Sequence, residues 1–148
     1  MSYEGLVRNK LVADATLMAL LTGGLYAYEG LSGEGITRKT LAGAYSTGFL
    51  APCGVVKGRA LIPFGGVRDQ ESQYTSVRQV IEIWLYADAG AGLTTLTSAA
   101  NRIYKVLEGQ TVTNSHPLRW LSQESFVERE LQQARAILIE FEVIGYRS

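Results

Sequence analysis

The chain holds one imidazole, His116, and one thiol, Cys53, and the first chemistry they raise is nucleophilic catalysis. A serine or cysteine nucleophile needs a base within hydrogen-bond reach. His116 sits in NSHPLRW, directly before Pro117 at an expected loop-to-strand junction, where an exposed loop histidine is the simpler role. Cys53 lies between Pro52 and Gly54 at an expected strand start, and it reads as a small buried apolar side chain. One Cys cannot close an intramolecular disulfide, and with a single His there is no cluster for structural zinc. Glu140 and Glu142 are two apart in an alternating stretch, so both carboxylates point the same way, as paired acid/base groups would. The plainer role is a solvated or subunit-facing stripe on the polar side of a strand. No catalytic residue, cofactor or metal ligand is therefore assigned, and the expectation is a protein that is not an enzyme.

Two glycine-rich pieces invite a phosphate-binding role. LSGEGITRKT (31–40) offers Gly, Arg, Lys and Thr, but it departs from G-x-x-x-x-G-K-[ST] and does not lead from a strand straight into a strong helix. GAGLTTL (90–96) serves better as a helix N-terminus, where Thr94 and the glycines can meet unpaired N–H groups. Basic residues have aromatic or glycine neighbours at Arg38-Lys39 with Tyr45 and Phe49, at Lys57 and Arg59 around Gly58, and at Arg119-Trp120. With 14 Lys+Arg against 14 Asp+Glu the net charge is zero, which argues against holding nucleic acid by bulk electrostatics and favours ordinary solvated charges. A ring of copies can still gather a modest basic patch around a lumen.

The elements that position these residues follow from periodicity. Glu4 to Leu21 has helical spacing, with Val7, Leu11, Met18 and Leu21 on one side, Asp14 as a candidate second cap and Gly23-Gly24 as the stop. Residues 23–51 read as a long Gly/Tyr-rich loop with a short strand at Leu25 to Tyr28. A loop of that length is expected to be functional or to order against a partner. Pro52 to Pro63 reads as one strand, Ser76 to Tyr86 as an alternating strand, and FGGVRDQESQYT between them as a polar hairpin. Leu93, Leu96, Ala99, Ile103 and Leu107 define a second helix closed by Gly109, followed by strands at Leu118 to Phe126 and Ala134 to Tyr146. These predict a single α+β domain over 1–148, an antiparallel sheet of about four to five strands with two helices packed on one face. At 148 residues with 47% hydrophobic residues, one core is affordable and a second domain has no room. The uncharged stretch from Ala15 to Tyr28 is too short and glycine-interrupted to span a bilayer, so a soluble protein without a membrane partner is expected.

VIEIWLYADAGAGLTTLTSAANRIYKVLEG (80–109) joins a strand of alternating hydrophobicity, an acidic-to-glycine turn and a helix with an N-R-I-Y centre ending in Leu-Glu-Gly. It is preceded by L-x-A-D-A-x-L-x-x-L-L-x-G (Leu11 to Gly23) and P-x-x-V-V-x-G (Pro52 to Gly58), and followed by F-E-V-x-x-Y (Phe141 to Tyr146). In this order and spacing the chain resembles the tail terminator, or tail-completion, proteins of long-tailed bacteriophages over most of its length except Gly30 to Leu50. The resemblance implies a noncatalytic virion component of the tail or neck, assembled in the host cytoplasm. It implies a homo-oligomeric ring, commonly a hexamer, that ends tail-tube polymerisation and meets head-tail connector proteins. DNA would only pass through its lumen.

The family gives no residues to carry over, so interface candidates come from the chain itself. The 30–50 loop supplies Arg38, Lys39, Tyr45 and Phe49, and the hairpin tip supplies Arg68, Asp69, Glu71 and Tyr74, as subunit- or tube-facing groups. Tyr45 and Phe49 can equally fold back on their own core, and Arg68, Asp69 and Glu71 can form a solvated turn. Balanced charge suits self-association, because strong like charge would repel the copies. Two other roles fit the same pattern: a different head-tail connector or head-closure subunit, or a small ligand-binding domain with Trp84, Tyr86 and Trp120 around a pocket and Glu82 as its polar group.

Overall fold

Helix α1 (Tyr3–Val12) begins where the Ser2 hydroxyl accepts the Gly5 N–H, and it stops at Ala13. The computed structural model describes residues 2–31, 41, 44–46, 49–63, 76–88, 92–131 and 134–146. Asp14 takes an extended conformation (φ −88°, ψ 107°) and accepts the Leu17 N–H, opening a separate six-residue helix α2 (Ala15–Leu20). The single helix expected over 4–21 is thus divided at Asp14, because that side chain satisfies a new helix start better than it continues an old one. Helix α3 (Gly92–Leu107) buries Leu96, Ala99, Ala100, Ile103 and Leu107. Gly109 ends it at φ +74°, a left-handed conformation that glycine adopts without a Cβ clash.

The strands are β1 (Leu25–Ala27), β2 (Tyr45–Ser46), β3 (Phe49–Leu50), β4 (Cys53–Gly58), β5 (Ile62–Pro63), β6 (Ser76–Ala87), β7 (Arg119–Glu128) and β8 (Ala134–Tyr146). The main sheet runs β1-β4-β6-β8-β7, with β5 joining β6 beside β4, and β2 and β3 form a small separate hairpin. All neighbours in the main sheet are antiparallel except β1 and β4, which pair in parallel from Leu25 opposite Gly54 to Ala27 opposite Val56. The sheet is therefore mixed. Between β1 and β4 the chain crosses to the far face, where Leu41, Ala44 and Leu50 are buried. The strand expected over 52–63 is two strands on β6, because the register slips by one residue after Arg59 donates its N–H to the Val80 carbonyl: Gly58 stands opposite Ile81 and Ile62 opposite Arg78.

Strand alternation divides the molecule into two cores. On one face Ile81, Ile83 and Leu85 of β6 and Ile137, Ile139, Phe141 and Val143 of β8 pack under the three helices, with Val7, Leu11, Leu17 and Ile103 above them. Fully burying one such side chain is worth roughly 1.5–3 kcal/mol, so this layer dominates stability. On the other face Cys53, Val55, Tyr86 and Ala136 are covered by Leu41, Ala44, Leu50 and Leu131. The α+β architecture expected from the sequence is the one observed, with helices packed on one face of the sheet.

Two long-range contacts lock α1 to the sheet. Glu4, 6% exposed, accepts the Gly58 N–H at 2.8 Å and the Glu29 N–H at 2.9 Å, so one carboxylate clamps the end of β4 to the turn after β1. Tyr3 donates its hydroxyl to the Asn114 carbonyl at 3.0 Å, and its ring occupies the space that a Cβ on Gly145 would need.

Candidate functional site

The face of the sheet turned away from the helices changes character along its strands. Beyond the covered apolar half, β6 and β8 place Glu82 and Glu140 directly opposite each other, with Glu142 two residues further on the same face. Glu82 (7% exposed) and Glu142 are buried. Arg59 bridges Glu82 and Glu140, each at 3.0 Å, Arg78 pairs with Glu142, and Ser122 donates to Glu140 at 3.2 Å. The stripe expected from Glu140 and Glu142 is thus a platform of three carboxylates held by two guanidinium groups, and Glu142 lies inside it under Arg78 rather than in solvent. Each carboxylate is held by a guanidinium, an arrangement that fixes the sheet surface instead of freeing an acid/base pair.

The other distinctive surface is the β7 edge of the sheet. Strand β7 pairs only with β8 among the described residues, so its second side carries a row of outward backbone N–H and C=O groups. A register shift between Trp120 and Ser122 bulges its start, and the Trp120 N–H is capped by the Glu108 carboxylate at 2.6 Å. Helix α3 lies chiefly over β6 and β8, and β7 extends past it. Trp120 (41% exposed), Leu121 and Val127 (44% exposed) remain open on β7, and Tyr104 on α3 meets the Trp120 ring edge-on at 6.2 Å. An edge strand of ten residues with exposed large apolar groups is a template for another chain.

The residues singled out in sequence fall in different places. Arg38, Lys39, Arg68, Asp69, Glu71 and Tyr74 lie outside the described residues, as does most of LSGEGITRKT. Tyr45 packs half-buried against the second core, while Phe49 of the β2–β3 hairpin is 64% exposed. His116 is exposed, and its backbone N–H donates to the Ile144 carbonyl. The adjacent Ser115 hydroxyl is engaged in a turn with Val112. Cys53 is buried in the second core, and burial pushes its thiol up to about 12, which suits a packed side chain and not a nucleophile. Lys57 stacks over the Tyr28 ring at 4.6 Å, so it and Arg59 are held in local contacts.

One expectation is corrected outright. Trp84 stands opposite Leu138 and Trp120 opposite Phe141, which places the two indoles on opposite faces of the sheet. Trp84 meets Phe126 edge-on at 5.8 Å, and Tyr86 is buried. They cannot line one pocket with Trp120, because side chains an odd number of positions apart in register point to different faces. The edge residues Leu121 and Val127 escaped notice in sequence. Their signal was the adjacent Trp120-Leu121 pair, which breaks the alternation of RWLSQESFVE where the bulge sits.

No protein-family model matches the chain, and no curated protein matches it. Among solved structures it is similar to a chain of a structure titled "Virion of native gene transfer agent (GTA) particle", with a TM-score of 0.62 and 20% identity. The likeness covers 99% of this chain and 96% of that one, so the two share their whole fold.

Proposed function

We propose that the chain is a noncatalytic structural protein of a phage-like virion, and that it assembles as a ring, a hexamer, on the end of a tail tube. There it stops tube polymerisation and offers a joining surface to the head's connector. The observation that carries this proposal is the fold shared with a chain of a virion particle over 99% of this chain and 96% of that one. The tail-end role within that class rests on the order and spacing of the motifs between Leu11 and Tyr146. Among the described residues Arg59 and Arg78 hold the sheet carboxylates in internal pairs, and Trp120, Leu121 and Val127 are exposed on β7, which suits a surface made for contact more than a catalytic one. On this proposal the protein resides in the virion after assembly in the host cytoplasm, with further copies of itself, tube protein and connector proteins as partners.

Light scattering across a concentration series, followed by negative-stain imaging with and without isolated tail tubes, tests the proposal. The expected result is a closed ring, either alone or templated on tube ends. Binding to filled heads instead of tubes would move the protein to the connector. A strict monomer that ignores both would refute the proposal.

A further inference from the structure

We propose that Asn114 is a modification site of this chain, a centre of spontaneous deamidation that the Tyr3 hydroxyl of α1 holds closed in the folded protein. Of the three asparagines, Asn9 and Asn101 lie inside α1 and α3 and precede the bulky Lys10 and Arg102, whereas Asn114 is exposed and precedes Ser115. A small following residue lets its backbone nitrogen approach the side-chain amide, and exposure admits the water that completes the reaction. Residues 112–115 form a β-turn closed by the Ser115 N–H on the Val112 carbonyl at 3.1 Å. Asn114 takes φ +58° at its third position, and Thr113 before it keeps a negative φ. That is a type II turn, whose third position requires positive φ and so favours glycine or asparagine.

The reaction is intramolecular. The Ser115 backbone nitrogen loses its proton and attacks Cγ of Asn114, the new C–N bond closes a succinimide ring, and the side-chain nitrogen leaves as ammonia. Water then opens the ring at either carbonyl, giving aspartate or isoaspartate with no change of oxidation state. The turn opposes the first step twice. The proton that must leave is the one donated to Val112. At the third position of a type II turn ψ is near about 0°, which turns the Ser115 nitrogen toward the backbone side of Cα and away from Cβ. Bringing it round rotates the Asn114 carbonyl, and that carbonyl is held by the Tyr3 hydroxyl at 3.0 Å. The chain beyond is tied to β8 by the bridge of Ser115 with Gly145 and by the His116 N–H on the Ile144 carbonyl. Isoaspartate adds a carbon to the backbone, so its formation would break both the turn and this register.

The test follows the full chain at pH 8 by peptide mapping that separates asparagine, aspartate and isoaspartate at each position. Folded wild type is expected to convert Asn114 roughly tenfold or more slowly than chain unfolded in guanidinium chloride, where Asn114 should convert ahead of Asn9 and Asn101. Tyr3→Phe keeps the ring against Gly145 and removes only the hydroxyl, and the loss of one hydrogen bond should speed conversion about threefold to tenfold with an unchanged circular dichroism spectrum. Asp14→Ala weakens the fold away from this turn and should leave the rate at Asn114 near wild type. Folded protein that converts as fast as unfolded chain overturns the closure. A Tyr3→Phe rate equal to that of wild type, or matched by Asp14→Ala, overturns the hold by Tyr3. Earlier conversion at Asn9 or Asn101 in the unfolded chain overturns the choice of site.

Discussion

Replacing Asp14 with alanine removes two interactions made by one carboxylate. Its Oδ2 accepts the Leu17 N–H at 2.9 Å as the cap of α2, and both oxygens receive the Arg102 guanidinium, at 2.8 and 2.7 Å. Loss of a helix cap costs about 1 kcal/mol. The Arg102 hydrogen bond, with the Leu17 N–H and the nearby positive charge, holds the carboxyl at about 2 against an ordinary 3.8. By linkage that displacement is worth roughly 2 kcal/mol, and solvent screening of an ion pair at the surface brings it to about 1. The capping bond is part of that linkage, so Asp14→Ala is expected to lose about 1–2 kcal/mol at pH 7, or roughly 2–8 °C in Tm for a chain of this size. Arg102→Leu, which keeps the cap, should lose roughly half as much.

The pH dependence has a definite sign. The folded carboxyl is depressed, so its contribution is complete above the unfolded value near 4 and disappears as pH falls through about 2. Urea titrations of wild type and both variants at pH 7, 5, 3 and 2 read this directly. The gap between wild type and Asp14→Ala should stay constant from pH 7 to 5 and narrow between pH 4 and 2. A gap below about 0.3 kcal/mol at pH 7, or one that survives unchanged at pH 2, would refute the assignment of Asp14 as a charged cap.

Three other perturbations follow from the same contacts. Glu4→Ala takes the buried carboxylate acceptor away from the Gly58 and Glu29 N–H groups and should cost about 1–3 kcal/mol by denaturant titration, whereas an equal change at exposed Glu124 should move stability by less than about 0.5. Gly145→Ala puts a methyl group into the Tyr3 ring and should destabilise by about 1–3 kcal/mol, with Tyr3→Leu in the same chain recovering part of the loss; full stability of the single variant would contradict the close approach. Cys53, buried and with its thiol pushed up to about 12, should resist iodoacetamide at pH 8 in native protein and react fully in urea, as mass spectrometry would show.

Periodicity made much of this fold legible. The two-residue alternation over 76–86 and 134–146 assigned Ile81, Ile83, Ile139 and Phe141 to one face and Glu82, Glu140 and Glu142 to the other, which is where they lie. Helical spacing found α3, and Asp14 was visible as a second cap because its chemistry is local, acting three residues away on Leu17. The candidate surface was less legible. Whether β7 is central or at an edge depends on which strands β8 and β6 take as neighbours, and RWLSQESFVE carries the same residues in either case.

What the sequence determined by itself was therefore local: the period of each segment, the side each residue takes, the caps and stops, and the absence of net charge. The tertiary structure decided the rest. It set β1 parallel to β4, brought Arg102 to Asp14 and Glu4 to Gly58 across long stretches of chain, put Trp84 and Trp120 on opposite faces, and placed β7 last in the strand order of the described residues. The physical reason is that a side chain's period follows from backbone geometry within a few residues, whereas its neighbour across the sheet is chosen by the packing of the whole chain.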